Sequence, residues 1–112
     1  MKGSHIGEFE ELVLLTIASM GNEAYAVALK EELENVSTRK FNISAVHSAL
    51  YRLEKKGFLS SFFGGASKKR GGKQKRYFQV THAGFAALQA SKDLKEQLWR
   101  SIPQLSFSST LS

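Results

Sequence analysis

From Glu8 to Met20, apolar residues recur at Phe9, Leu12, Val13, Ile17 and Met20, the 3.6-residue period of an amphipathic helix. Glu8, Glu10 and Glu11 in its first turn complement the helix dipole, and Gly21-Asn22 is a stop signal. A second helix is predicted from about Ala24 to Asn35, with Tyr25, Leu29, Leu33 and Val36 on one stripe and Glu31, Glu32 and Glu34 on its other faces. A polar stretch, Ser37 to Lys40, leads to Asn42, a good N-cap for a third helix that runs to about Lys56. Its apolar stripe is Ile43, Val46, Leu50 and Leu53, and Gly57 stands where a left-handed C-cap residue belongs. Phe58–Phe63 and Lys75–Val80 then read as two strands of a hairpin whose long connection is punctuated by Gly64-Gly65 and Gly71-Gly72. Thr81 caps a last helix that stops before Pro103. The tail, Gln104 to Ser112, is Ser-rich and is read as disordered.

The fold class is therefore mainly α with a small β-hairpin. At 112 residues the chain builds one core, and the 42% apolar content with eight Phe makes it a folding sequence. The absence of Cys removes disulfides, thiolate nucleophiles and cysteine metal sites, which suits a reducing cytosol. No apolar run approaches the length of a membrane span, and early Glu residues interrupt any signal-peptide core.

Net charge is +6, and its distribution is the informative part. Residues 1–36 carry two basic and seven acidic side chains, whereas residues 37–76 carry eleven basic ones and a single acid, Glu54. Such segregation points to a localised anionic partner, since a merely solubilising surface mixes its signs. Opposite the apolar stripe of the third helix lie Ser44, Ser48, Tyr51 and Lys55, flanked by His47 and Arg52. Small hydroxyls, a phenol and cations on one face suit close approach to phosphates and base edges. The basic run from Lys68 to Arg76 follows at once, supplying Lys68, Lys69, Arg70, Lys73, Lys75 and Arg76. The hairpin aromatics Phe58, Phe62, Tyr77 and Phe78 are expected to pack against the helices and not to stack bases.

An enzyme finds little support. His5, His47 and His82 are dispersed, and neither a phosphate-binding Gly motif nor metal-ligand spacing is present, so no metal or other cofactor is expected. Double-stranded RNA is disfavoured because its deep, narrow major groove excludes a recognition helix. The remaining rival is a protein–protein interaction module of the same shape without sequence-specific DNA binding. That module calls for acidic or apolar residues where Ser44, Ser48, Tyr51 and Lys55 stand.

Helix, helix, helix, hairpin, helix is the order of a winged helix-turn-helix, and here four segments resemble PadR-type transcriptional regulators. They are Phe9–Leu15, Ala24–Leu29, Ile43–Gly57 and Arg70–Gly84, and the likeness spans roughly residues 6 to 100. The resemblance implies a cytoplasmic, bacterial, double-stranded-DNA-binding regulator, usually a repressor acting as a homodimer on a palindrome. Residues 1–81 would form the DNA-binding domain, 82–102 a C-terminal dimerisation helix and 103–112 a flexible tail. By the same likeness, Ser44, His47, Ser48 and Tyr51 would face DNA from the recognition helix and the basic run would serve the wing, with Arg52 and Lys55 added to the helix set by their place on its outer face. Relatives commonly have Tyr where this chain has His47, and a His contact to phosphate would be pH-sensitive.

The last helix carries Leu88, Leu94, Leu98, Trp99 and Ile102, a stripe expected to seek a twofold partner. In some relatives of this type an aromatic there stacks flat ligands between subunits, which makes Trp99 a candidate for a planar aromatic effector. The competing reading is that Trp99 simply fills the dimer interface.

Overall fold

The computed structural model describes residues 6–21, 23–64 and 74–103. Along it run α1 (Glu8–Ser19), α2 (Ala26–Ser37), α3 (Ile43–Lys55), β1 (Leu59–Gly64), β2 (Lys75–Val80) and α4 (His82–Arg100). The tail from Gln104 and residues 65–73 of the basic loop lie outside the described residues. None of the described helices is long and apolar enough to cross a membrane.

The predicted periodicities place the core. Val13, Leu14 and Ile17 of α1 meet Leu29 and Leu33 of α2 and Val46, Ala49, Leu50 and Leu53 of α3, all buried. Phe58, Leu59 and Phe78 close this core from the hairpin side, so three of the hairpin's apolar side chains anchor it to the helices. Tyr77 is half-buried with its ring edge-on to Tyr25 at 5.6 Å, while Phe62 stacks on Tyr77 and stays partly exposed.

Three expectations need correction. First, α2 begins at Ala26, not Ala24, because Ala24 is extended and bridges β2: its carbonyl accepts from the Phe78 N–H at 2.8 Å. Second, Val36 is exposed at 65%. The last turn of α2 runs past the core, and Phe41, stacked on Phe9 at 5.5 Å, covers that end instead. Third, Leu88 belongs to this chain's own core at 7% exposure and is not free to pair with a second copy.

β1 and β2 form an antiparallel ladder from Leu59↔Val80 to Gly64↔Lys75. Where the hairpin returns to α4, Thr81 Oγ1 accepts from the Gly84 N–H at 3.0 Å and donates to the Gly57 carbonyl at 2.6 Å. One hydroxyl thus caps α4 and ties it to the left-handed turn at Gly57 (φ +84°) that ends α3. Thr81→Ala is expected to cost about 1–2 kcal/mol, the upper part of the range for N-cap loss, with Thr81→Ser recovering most of it in chemical denaturation.

Candidate nucleic-acid interface

Asn42 sets the start of α3 by accepting from the Ser44 N–H at 2.8 Å, and the same oxygen takes the Ser44 hydroxyl at 2.9 Å. Ser44 is exposed, but its donor is already engaged, leaving its oxygen lone pairs to face outward. Upstream, the Glu34 carboxylate accepts from the Phe41 N–H at 2.8 Å and pairs with Lys30 at 3.1 Å. Those two contacts, the backbone one foremost, hold its pKa below the ordinary value and fix the approach to α3.

His47, Ser48, Tyr51 and Lys55 are all exposed along α3, as the periodicity requires. Lys55 Nζ lies 5.6 Å from the centroid of the Tyr51 ring, a cation–π contact between neighbouring exposed side chains. Arg52 differs. Its Nε donates to Glu10 at 2.6 Å, across to α1, and Lys56 Nζ donates to the other oxygen at 2.8 Å. Burial alone would raise the Glu10 pKa, but the hydrogen bonds from Lys56, Arg52 and the Gly7 N–H bring it down to about 2. The guanidinium assigned to DNA from its spacing is therefore engaged by a buried carboxylate of α1.

The root of the wing lies beside α3. A groove of about 550 Å³ between the start of α2, α3 and β2 is lined by His47, Tyr51 and Glu54 from α3, Lys75 and Arg76 from β2, and Tyr25 and Val27. Lys75 Nζ sits 4.8 Å over the Tyr25 ring. Arg76 donates to Glu54 at 2.7 Å and lies over the Phe78 ring at 5.4 Å. Of the predicted set, the fold brings His47, Tyr51, Lys75 and Arg76 to one groove, whereas Lys68, Lys69, Arg70 and Lys73 lie outside the described residues. Sequence reasoning missed Tyr25 and exposed Val27, whose signal, an apolar pair at an uncapped helix start, is indistinguishable from core patterning. Arg39 and Lys40, exposed just before α3, do not line this groove, and Arg39 lies over the Phe41 ring at 5.1 Å.

On the far side, α4 is held to α1 by Glu11, which accepts from Ser91 Oγ at 2.8 Å and from Lys95 Nζ at 2.7 Å. Burial opposes its ionisation, yet Lys95 and Ser91 together lower its pKa. From Lys92 to Pro103 every residue is exposed, including Leu94, Leu98, Trp99 and Ile102. Phe85 and Leu15 are exposed as well, two large apolar side chains that periodicity had not singled out. Among the described residues no group of three His, Cys, Asp or Glu side chains is arranged to hold a metal.

A model of the PadR-like family of transcriptional regulators matches residues 13–90. No curated protein matches the chain. Among solved structures the fold is similar to a PadR-like transcriptional regulator from Bacillus cereus, at 20% identity and TM-score 0.68, over 87% of this chain and 89% of that one. A PadR family transcriptional regulator from Eggerthella lenta is 25% identical, TM-score 0.65, over 88% of this chain and 85% of that one. RosR of H. salinarum is 19% identical, TM-score 0.67, over 95% of this chain and 89% of that one.

Proposed function

The chain belongs to the PadR-like family of transcriptional regulators, which are not enzymes, and from that premise we propose that it is a cytoplasmic, sequence-specific repressor acting as a homodimer on palindromic double-stranded DNA. The observation that carries this reading is the single groove shared by His47 and Tyr51 of α3 and Lys75 and Arg76 of β2. A helix that reads base edges and a strand that tracks the adjacent phosphates need that adjacency. Ser44, Ser48 and Lys55 extend the helix side, and Lys68, Lys69, Arg70 and Lys73 extend the wing. Residues 1–81 act as the DNA-binding unit and residues 82–102 as the dimerisation helix. The exposed end of α4, with Leu94, Leu98, Trp99 and Ile102, supports pairing with a second copy, and the dimer sets half-site spacing.

Selection of duplexes from a random library by the purified protein tests the proposal. The expected product is a palindrome with half-sites about 10 bp apart centre to centre. Replacing Lys68, Lys69 and Arg70 together by Ala is expected to weaken binding to every duplex and to reduce the salt slope by about 3 × 0.9. Tyr51→Ala should instead change which sequence is preferred. A library without enrichment, or a wing variant with unchanged affinity and slope, overturns the proposal. Trp99, 68% exposed in the single chain, is the proposed contact for a planar aromatic effector between subunits. Unchanged Trp99 fluorescence across a panel of planar aromatics removes that part alone.

A further inference from the structure

Glu54 is the only acid on α3, and it stands in the stretch richest in cations. Seven positions from His47 and three from Tyr51, it shares their side of the helix, where a carboxylate repels phosphate. Its contacts show what it does there. Oε2 accepts from Ser61 Oγ of β1 at 2.7 Å, and Oε1 accepts from the Arg76 guanidinium of β2 at 2.7 Å. Ser61 is paired with Phe78 in the ladder, and Arg76 lies two residues before Phe78, so both project from the same face of the hairpin. One carboxylate therefore bridges the two strands and fastens them to the end of α3. The Arg76 bond is charge-assisted, and Glu54 is partly sheltered at 31% side-chain exposure.

We infer that Glu54 is a positioning residue for DNA binding, holding the wing at a fixed pitch against α3 so that base-reading and phosphate-tracking elements engage one register. The inference rests on the proposed DNA-binding reading and concerns a residue that need not touch DNA. Electrostatics and positioning predict opposite signs. As a mere opponent of phosphate, Glu54 would weaken binding to all duplexes, and its removal would strengthen both specific and nonspecific binding alike. As a positioning group, its removal lowers affinity for the selected site while nonspecific binding holds or rises. Arg76, once released, adds up to about one unit to the salt slope.

The experiment uses the full chain as wild type, Glu54→Gln and Glu54→Ala, with the duplex that wild type selects and an unrelated duplex of the same length. Backbone amide relaxation of β1 and β2 without DNA provides a second readout. The expected result is a fall of about 10-fold or more in the specific-to-nonspecific ratio for both variants, with faster motion at Ser61 and Arg76. An unchanged ratio, or an equal gain on both duplexes, overturns the inference while leaving DNA binding intact. If wild type itself selects no sequence, the functional reading fails first and the inference falls with it. A circular-dichroism melt of each variant separates lost pitch from lost folding, and relaxation unchanged in a folded Glu54→Ala protein also overturns the inference.

Discussion

Placing a β-carbon at position 84 is expected to be among the most damaging single changes this chain can take. The Gly84 Cβ would stand 2.3 Å from the carbonyl oxygen of Phe58 and 2.7 Å from Val80 Cγ1. The first neighbour is backbone, and it already accepts the Thr81 N–H at 3.0 Å, so it cannot rotate aside as a side chain would. Ala is favoured over Gly within a helix by about 1 kcal/mol, which works against the clash. Overpacking against fixed backbone costs about 1–3 kcal/mol or more, and it acts at the junction where hairpin, Gly57 turn and α4 meet. Gly84→Ala should therefore lose up to about 2 kcal/mol net, and Gly84→Val more, read as a lowered denaturation midpoint at fixed protein concentration. A Gly84→Ala protein as stable as wild type would show that α4 can lift from Phe58 at no cost.

The second large effect is at Glu10. A carboxylate with 8% side-chain exposure, holding Arg52 and Lys56, has a folded pKa of about 2 against an ordinary 4.5. The folded value is the depressed one, so the stability it contributes is present above pH 4.5 and is lost as pH falls toward 2. At 1.36 kcal/mol per pKa unit this is about 3 kcal/mol, an upper figure because Arg52 is half-exposed and screened by solvent. Glu10→Gln keeps the shape, removes the charge and sets an amide N–H₂ against a cation. It is expected to lose about 2–3 kcal/mol at pH 7 and to show a smaller further loss between pH 4.5 and 2 than wild type. Parallel pH curves for the two proteins would refute the assignment. Because Arg52 and Lys56 are residues of the α3 end, the same change should also loosen α3 against α1.

How much of this was legible beforehand follows from the range of each signal. The α1 and α3 stripes, the Asn42 and Thr81 caps and the Gly57 turn come from residues within a few positions of one another, and each is found where spacing placed it. The same spacing that found the core face of α2 carried the stripe one turn too far at Val36, because periodicity marks an apolar face without saying where its cover ends. Leu88 was misassigned for the reverse reason. A long amphipathic helix advertises one stripe, yet its first half is covered by this chain and its second half is not. The start of α2 moved because Ala24 hydrogen-bonds a strand more than fifty residues later.

The amino-acid order by itself determined the helix–hairpin order, the faces of α1 and α3, and the concentration of cations in residues 37–76, which point to an anionic partner, while the likeness of four segments to PadR-type regulators pointed to the family. Among the described residues, only the tertiary structure decided which of those cations are drawn into ion pairs. Arg52 is engaged by Glu10 from 42 residues away, and Arg76 by Glu54 from 22, while Lys55 lies over the exposed Tyr51 ring and Lys75 over the half-buried Tyr25 ring. The physical reason is that an apolar stripe is a local property of the backbone period, whereas an ion pair is settled by whichever opposite charge the finished core brings within about 3 Å.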